Sequence, residues 1–149
     1  KKDDKVINAE GTISVVECVT HHKCPNNEAN LCKIGDLLIT PFHPVYINNQ
    51  WKFPIDISPS ERFQCNYVIN LVLQDRKSIN IKSTDNSNIA CCTLGHGIEG
   101  GVIGHAFFGT ERIIENFRNN FPNEYENGLV TSTNVIQRNH DTGLVEKYL

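Results

Sequence analysis

The sequence predicts a mainly β fold with one helix near its C-terminal end. Short apolar segments rich in β-branched residues recur along the chain, separated by asparagine, glycine and proline residues that favour turns. Only the segment after Thr110 places apolar residues at helical spacing. A chain of 149 residues can bury its own core, and no linker or internal repeat divides it. We therefore expect residues 1–149 to form a single domain.

The first two thirds of the chain are predicted to consist of strands joined by turns. Residues 5–20 form a hairpin whose turn lies at Glu10-Gly11, and residues 21–30 form a polar loop. Asn48-Asn49 marks a second hairpin turn, since asparagine favours the left-handed backbone of such turns. Further strands are expected at residues 37–40, 45–47, 51–53, 67–73, 78–82 and 89–94.

The last third contains the predicted helix. Residues 95–109 are rich in glycine and predict an irregular loop. Thr110 can cap the helix that follows, which is expected to end near residues 121–122. Its apolar stripe consists of Ile113, Ile114 and Phe117. Short strands are expected at residues 129–130 and 135–136, with a turn at 141–143.

Bulk composition narrows the functional class. Hydrophobic residues make up 39% and charged residues 21%, as in ordinary globular proteins, and the net charge of -3 argues against a broad nucleic-acid-binding surface. No apolar run of about eighteen residues is present, so we expect no membrane span. The charged residues 1–4 are not a signal peptide, which favours the cytoplasm. Methionine is absent even at position 1, so we expect the chain to begin within a longer precursor.

Cysteine and histidine residues make a metal site one hypothesis. The six cysteines are compatible with buried free thiols, metal ligands or disulfides. Four residues of the types that zinc prefers lie close together in the sequence: His21, His22, Cys24 and Cys32. They lack paired Cys-x-x-Cys spacing, so a solvated loop is the alternative. The hypothesis is zinc shared between two chains, or bridging this loop to His43. Zinc that bound His43 or a nucleophilic thiol would inhibit the chemistry of that residue.

A second group of such residues lies further along the chain and consists of Cys91, Cys92, His96 and His105. Zinc binding is again one interpretation. The simpler interpretation of His96 and His105 is that each hydrogen-bonds to the backbone of the glycine-rich loop that contains it.

The sharpest local motif is Thr40-Pro41-Phe42-His43, directly after a predicted strand. A hydroxyl and an imidazole three positions apart, on either side of an X-Pro kink, could both reach one backbone amide. Histidine is the side chain best suited to donate a proton near neutral pH. By itself the motif is weak, because a histidine in such a place is most often a surface or hydrogen-bonded residue.

Four separated segments carry a family resemblance: residues 39–54, 65–73, 92–110 and 141–145. In the first, a strand ending in Thr-x-x-His resembles block B of Hint domains, which are shared by inteins and Hedgehog autoprocessing proteins. Together the four segments resemble the Vint branch, which occurs beside von Willebrand type A modules. Ciliate bacterial-intein-like domains, some next to ubiquitin-like domains, are similar in type.

The resemblance implies a flattened, horseshoe-like Hint fold and self-processing. In the family, a Cys or Ser at the first Hint residue attacks the preceding peptide carbonyl, and a second nucleophile resolves the resulting thioester or ester. On this basis His43 protonates the departing nitrogen, Thr40 holds the amide, and Asp75 stands in for a histidine common in a later block. No cofactor is required. The implied partner is the flanking polypeptide, with a ubiquitin-like domain and a zinc-mediated homodimer as further expectations.

Two features depart from the family pattern. None of the six cysteines heads a strand as the initiating nucleophile does, so we expect that residue upstream of Lys1. The terminal His-Asn pair of inteins is missing from residues 86–92, which favours cleavage or transfer over splicing. The alternatives are a catalytically silent Hint-fold binding module, bridged by zinc, and a cysteine hydrolase that pairs Cys92 or Cys24 with His43.

Overall fold

The structure is a computed structural model that describes residues 1–133 and 136–149, so the predicted strand at 135–136 lies partly outside the described residues. The described chain is mainly β, as predicted. Its strands are β1 (Lys5–Ile7), β2 (Ile13–Lys23), β3 (Glu28–Ile34), β4 (Leu37–Ile39), β5 (Val45–Ile47), β6 (Gln50–Lys52), β7 (Ser60–Gln64), β8 (Tyr67–Leu73), β9 (Ile79–Lys82), β10 (Asn88–Cys91), β11 (Leu129–Ser132), β12 (Ile136–Arg138) and β13 (Val145–Tyr148). Its α-helices are α1 (Glu111–Asn120) and α2 (Pro122–Glu126), and two short 3-10 helices lie at Pro25–Asn27 and Pro54–Asp56.

One four-stranded sheet is built around β2. Side chains alternate along this strand, with Val16, Cys18 and Thr20 buried and the residues between them half-buried. β1 and β8 pair with β2 in antiparallel fashion, and β11 runs parallel to it. The predicted β1–β2 hairpin is confirmed, and Gly11 in its turn has a φ of +81°, which glycine adopts without strain.

The other described strands form three further sheets, all antiparallel: β6-β5-β10-β9, β4-β3-β7 and the β12-β13 hairpin. Asn48 and Asn49 connect β5 to β6 with φ values of +54° and +62°. Two consecutive left-handed residues match the twist of a hairpin, so the predicted asparagine turn is confirmed.

Two polar stretches differ from their predictions. β2 and β3 extend into residues 21–30 from both sides, so that only residues 24–27 form the loop. His21 pairs with Ile69 of β8, and this strand pairing outweighs the polar composition of the segment. β7 also lies outside the predicted strands: it forms because its backbone pairs with β3, although Phe63 is its one apolar residue.

Buried apolar side chains form two clusters. The first packs α1 and α2 against the β2 sheet, and the predicted stripe of Ile113, Ile114 and Phe117 lies within it. The second lies beneath β3, β4, β5 and β10, and its buried members are Cys32, Ile39, Val45, Ile89 and Cys91. The space between the strands that carry these clusters is where the candidate site is found.

The helical region differs from its prediction in two details. Thr110 precedes α1, but its hydroxyl donates to the Ala106 carbonyl (2.9 Å), so the predicted side-chain cap was wrong. α1 ends at Asn120, close to the predicted end, and Pro122 then starts α2, a helix that the sequence does not predict. None of the described helices is long and apolar enough to cross a membrane.

Candidate functional site

Thr40 and His43 both line one cavity of about 410 Å³. Strands β3, β4, β7, β8, β9 and β10 contribute most of the rest of its lining, together with Cys65, Cys92 and Thr93 from the segments between or after them. The described residues that line it include no Asp, Glu, Lys or Arg, so the cavity is an uncharged space within the domain. Apart from thiols and Tyr67, its polar side chains are Thr40, His43, Gln64, Asn70 and Thr93.

A tight turn after β4 brings Thr40 and His43 to the cavity. The His43 N–H donates to the Thr40 carbonyl (3.2 Å), which closes the turn around Pro41. Phe42, between them, is 71% exposed and packs edge-on against the ring of Phe53, with 5.5 Å between centroids. The turn thus separates a surface aromatic residue from the two polar residues that reach the cavity.

The imidazole of His43 is fixed by one long-range hydrogen bond. Its Nε2 lies 2.9 Å from the carbonyl oxygen of Cys92, and because a carbonyl can only accept, Nε2 carries the proton and donates it. Burial lowers the pKa of His43 below its usual value, while this hydrogen bond acts in the opposite direction. The neutral imidazole therefore leaves Nδ1 as a proton acceptor.

Cys92 is held in place by the backbone. Its N–H donates to the Pro44 carbonyl (3.2 Å), and the neighbouring Cys91 pairs with Val45 of β5. Burial raises the pKa of both thiols to about 12. Since the thiolate is the reactive form, neither is prepared as a nucleophile, which weighs against the hydrolase alternative that uses Cys92.

Asp75 is not among the residues that line the cavity. Its carboxylate is exposed and accepts a hydrogen bond from the Ser14 hydroxyl (2.6 Å), with a longer one from the Lys77 N–H (3.4 Å). These contacts tie the turn after β8 to the β1–β2 hairpin. The structure therefore does not bring Asp75 together with Thr40 and His43, and its catalytic role stays a prediction.

The four predicted zinc ligands are dispersed. His21 packs its ring on Tyr67 (5.2 Å between centroids), and Nδ1 of His22 lies 2.7 Å from the Ser132 hydroxyl. Cys32 is fully buried in the second core cluster, and Cys24 is buried beside a different cysteine, Cys65. Within residues 1–133 and 136–149, no group of three or more His, Cys, Asp or Glu side chains could hold a metal ion. Zinc shared between chains stays a prediction.

His96 and His105 hydrogen-bond to their own loop, as in the simpler of the two interpretations. Nδ1 of His96 accepts from the Ile98 N–H (2.9 Å), and Nδ1 of His105 accepts from the N–H groups of Phe107 (3.1 Å) and Phe108 (3.2 Å). Burial, and then the nearby His43 and His105, lower the pKa of His96. These histidines therefore shape the loop behind His43.

Sequence reasoning missed two parts of the site. The acceptor of His43 is a backbone carbonyl 49 positions further along the chain, and no side-chain motif reports it. Asn70 lines the cavity from the centre of β8, where it is the one polar residue in a run of apolar ones. This polar position could have been identified from the sequence, because a polar residue in an apolar strand usually has a specific polar environment.

The comparison with protein families agrees with this architecture. The match is to a Hint domain and extends over residues 1–147. Because it covers nearly the whole sequence, the chain belongs to the Vint family of Hint domains. A search of curated proteins gave no match. The mainly β fold is accordingly a Hint fold, and the domain is of the autoprocessing type.

Proposed function

We propose that this domain cleaves the peptide bond that joins it to an upstream polypeptide, by an N–S acyl shift that forms a thioester. The observation that carries the proposal is the convergence of Thr40 and His43 on one uncharged cavity, with His43 fixed on the Cys92 carbonyl. Family membership supports the same class of chemistry. Water or another nucleophile then resolves the thioester, which releases or transfers the upstream polypeptide.

His43 is proposed to move one proton from the nucleophile to the leaving group. The thiol of an upstream Cys attacks the carbonyl carbon that precedes it, and Nδ1 of His43 takes the thiol proton. The C–N bond then breaks as Nδ1 returns that proton to the departing nitrogen. The lowered pKa of His43 supports this order, because a neutral imidazole accepts before it donates.

Thr40 is proposed to hold the scissile amide during this transfer. Thr40 lines the same cavity as His43, and its hydroxyl can both donate and accept a hydrogen bond. In an uncharged space such a bond is stronger than in water, which favours a fixed orientation of the amide. The proposed steps do not use Asp75, which is not among the residues that line the cavity, and its catalytic role stays a prediction.

The test is a precursor that carries its native upstream segment and a reporter domain ahead of Lys1. Intact mass is followed over time, with and without dithiothreitol or hydroxylamine. The variants are His43→Ala and, as a matched control, His140→Ala, since the side chain of His140 is fully exposed (103%). We expect thiol-accelerated cleavage at the start of the domain, abolished by His43→Ala and retained by His140→Ala.

Thr40→Val adds a second, graded test. It keeps the size of the side chain and removes the hydroxyl, so we expect cleavage to slow by about 100-fold, as when one preorganised hydrogen-bond donor is lost. A precursor that stays intact under every condition, while it melts cooperatively, would refute the proposal and support the silent binding module.

A further inference from the structure

Two short crossovers connect the β2 sheet with the β4-β3-β7 sheet. Residues 24–27 lead from β2 to β3, and residues 65–66 lead from β7 to β8. The Cys24 N–H donates to the Asn66 carbonyl and the Cys65 N–H donates to the Asn27 carbonyl, both at 2.9 Å. These two bonds hold the crossovers side by side, at the junction of the two sheets.

Each crossover carries one cysteine, and the two thiols are neighbours. Cys24 is 4% exposed, and burial and then the neighbouring Cys65 thiol raise its pKa. Cys65 is half-buried, and its Sγ also lies 3.2 Å from the Tyr67 carbonyl. The remaining cysteines lie elsewhere: Cys18, Cys32 and Cys91 in the two core clusters, and Cys92 directly after β10.

We propose that Cys24 and Cys65 form a reversible intrachain disulfide that crosslinks the two crossovers. The oxidant is a small-molecule disulfide of the glutathione class. The thiolate of Cys65, the more accessible residue, attacks one sulfur of the oxidant and displaces one thiol. Cys24 loses its proton to water and attacks Cys65 of the mixed disulfide, which displaces the second thiol. Two protein thiols are oxidised and one small disulfide is reduced to two thiols.

The crosslink bears on the candidate site in two ways. Cys65 itself lines the cavity that holds Thr40 and His43, so the disulfide fixes part of the cavity lining. In addition, residues 24–65 form the closed loop, and this loop contains both Thr40 and His43. Closing a loop of that length restricts the unfolded chain and should stabilise the segment that carries the site. The inference does not depend on the autoprocessing proposal.

The test oxidises the chain itself with glutathione disulfide, under native conditions and with a chelator present to exclude metal-bound thiols. Intact mass and peptide mapping identify the products, and thermal unfolding is measured before and after dithiothreitol. We expect loss of two hydrogens, one linked peptide pair that contains Cys24 and Cys65, and a rise in Tm of about 5–10 °C that reduction reverses.

Three variants make the result specific. Cys24→Ser should stop at the mixed disulfide on Cys65, and Cys65→Ser should give no crosslink. Cys92→Ala is the matched control and should crosslink like the native chain. The proposal is overturned if glutathione remains attached to Cys65 of the native chain without forming a link to Cys24. Linkage of another pair, or no oxidation at all, overturns it equally.

Discussion

Glu17 on β2 should be the charged residue whose substitution lowers the stability of the domain most. Its carboxylate accepts hydrogen bonds from the Tyr125 hydroxyl (2.6 Å), from Arg118 (3.0 Å) and from Arg76. Tyr125 belongs to α2 and Arg118 to α1, so this one carboxylate fixes both helices to the central sheet. We predict that Glu17→Gln, which keeps the shape and removes the charge, destabilises the fold.

The size of the effect follows from the exposure of the three partners. Tyr125 is buried and the Arg76 side chain is 23% exposed, so their charge-assisted bonds contribute about 1.5–3 kcal/mol each. Arg118 is half exposed, and its bond contributes about 0.5 kcal/mol. Glutamine keeps one acceptor, so the net loss should be about 3 kcal/mol, which lowers Tm by about 6–12 °C.

Burial alone would raise the pKa of Glu17, but hydrogen bonds from Arg76, Tyr125 and Arg118 together lower it. The carboxylate therefore stabilises the fold above its unfolded pKa, and this contribution is lost as pH falls through the folded pKa. The difference between Glu17→Gln and the native chain should accordingly shrink in acid.

The assay is urea unfolding followed by circular dichroism between pH 3 and about 7. The matched control is Glu115→Gln, since Glu115 is exposed on α1 and should change stability by less than about 0.5 kcal/mol. A loss at neutral pH no larger than that of the control, or a difference that does not depend on pH, would show that the Glu17 network does not hold the helices.

The remaining predictions concern the site. Because burial keeps the pKa of His43 below its ordinary 6.5, precursor cleavage should speed up as pH rises through that pKa and level off near neutrality; a rate that is highest in acid would contradict the proton order proposed above. With iodoacetamide under native conditions, peptide mapping should find Cys65 labelled well before Cys91 and Cys92, whose burial raises their pKa to about 12; fast labelling of Cys91 would contradict the structure. Because the described residues contain no group of three or more side chains that could hold a metal ion, we predict that zinc binds only by recruiting a second chain; light scattering should then detect a dimer whenever zinc raises Tm, and a zinc-stabilised monomer would refute this.

The strands could be predicted where the pattern of apolar and polar side chains reflects which residues are buried. β8 carries an almost unbroken apolar run, and β2 alternates between buried and half-buried positions, so both could be predicted from periodicity. β7 could not, because only its backbone pairing with β3 makes it a strand. Backbone pairing also explains why the prediction failed at His21 and His22. Their polar side chains predict a loop, but both residues belong to β2 and pair with β8.

The site was predictable where the motif is local. Thr40 and His43 lie on one turn, so a short sequence pattern could identify them. The Cys92 carbonyl became the partner of His43 only because β10 pairs with β5 and brings distant backbone to the turn. The catalytic role of Asp75 was predicted from its place in a family block, whereas in the structure its carboxylate accepts a hydrogen bond from Ser14.

We predict that a single side chain in the cavity, His43, can carry the proton. The described residues that line it include no carboxylate and no ammonium group, and His43 is their one imidazole. Cys91 and Cys92 cannot substitute, since burial keeps their thiols protonated near neutral pH. Removal of the His43 side chain should therefore abolish cleavage completely. A small base that enters the space left by the imidazole should restore part of the activity. In His43→Ala precursor, free imidazole should restore part of the cleavage, measured by intact mass, while His140→Ala should show no response. If imidazole accelerates neither variant although His43→Ala is folded, the imidazole ring acts through its contact with Cys92 and not by carrying the proton.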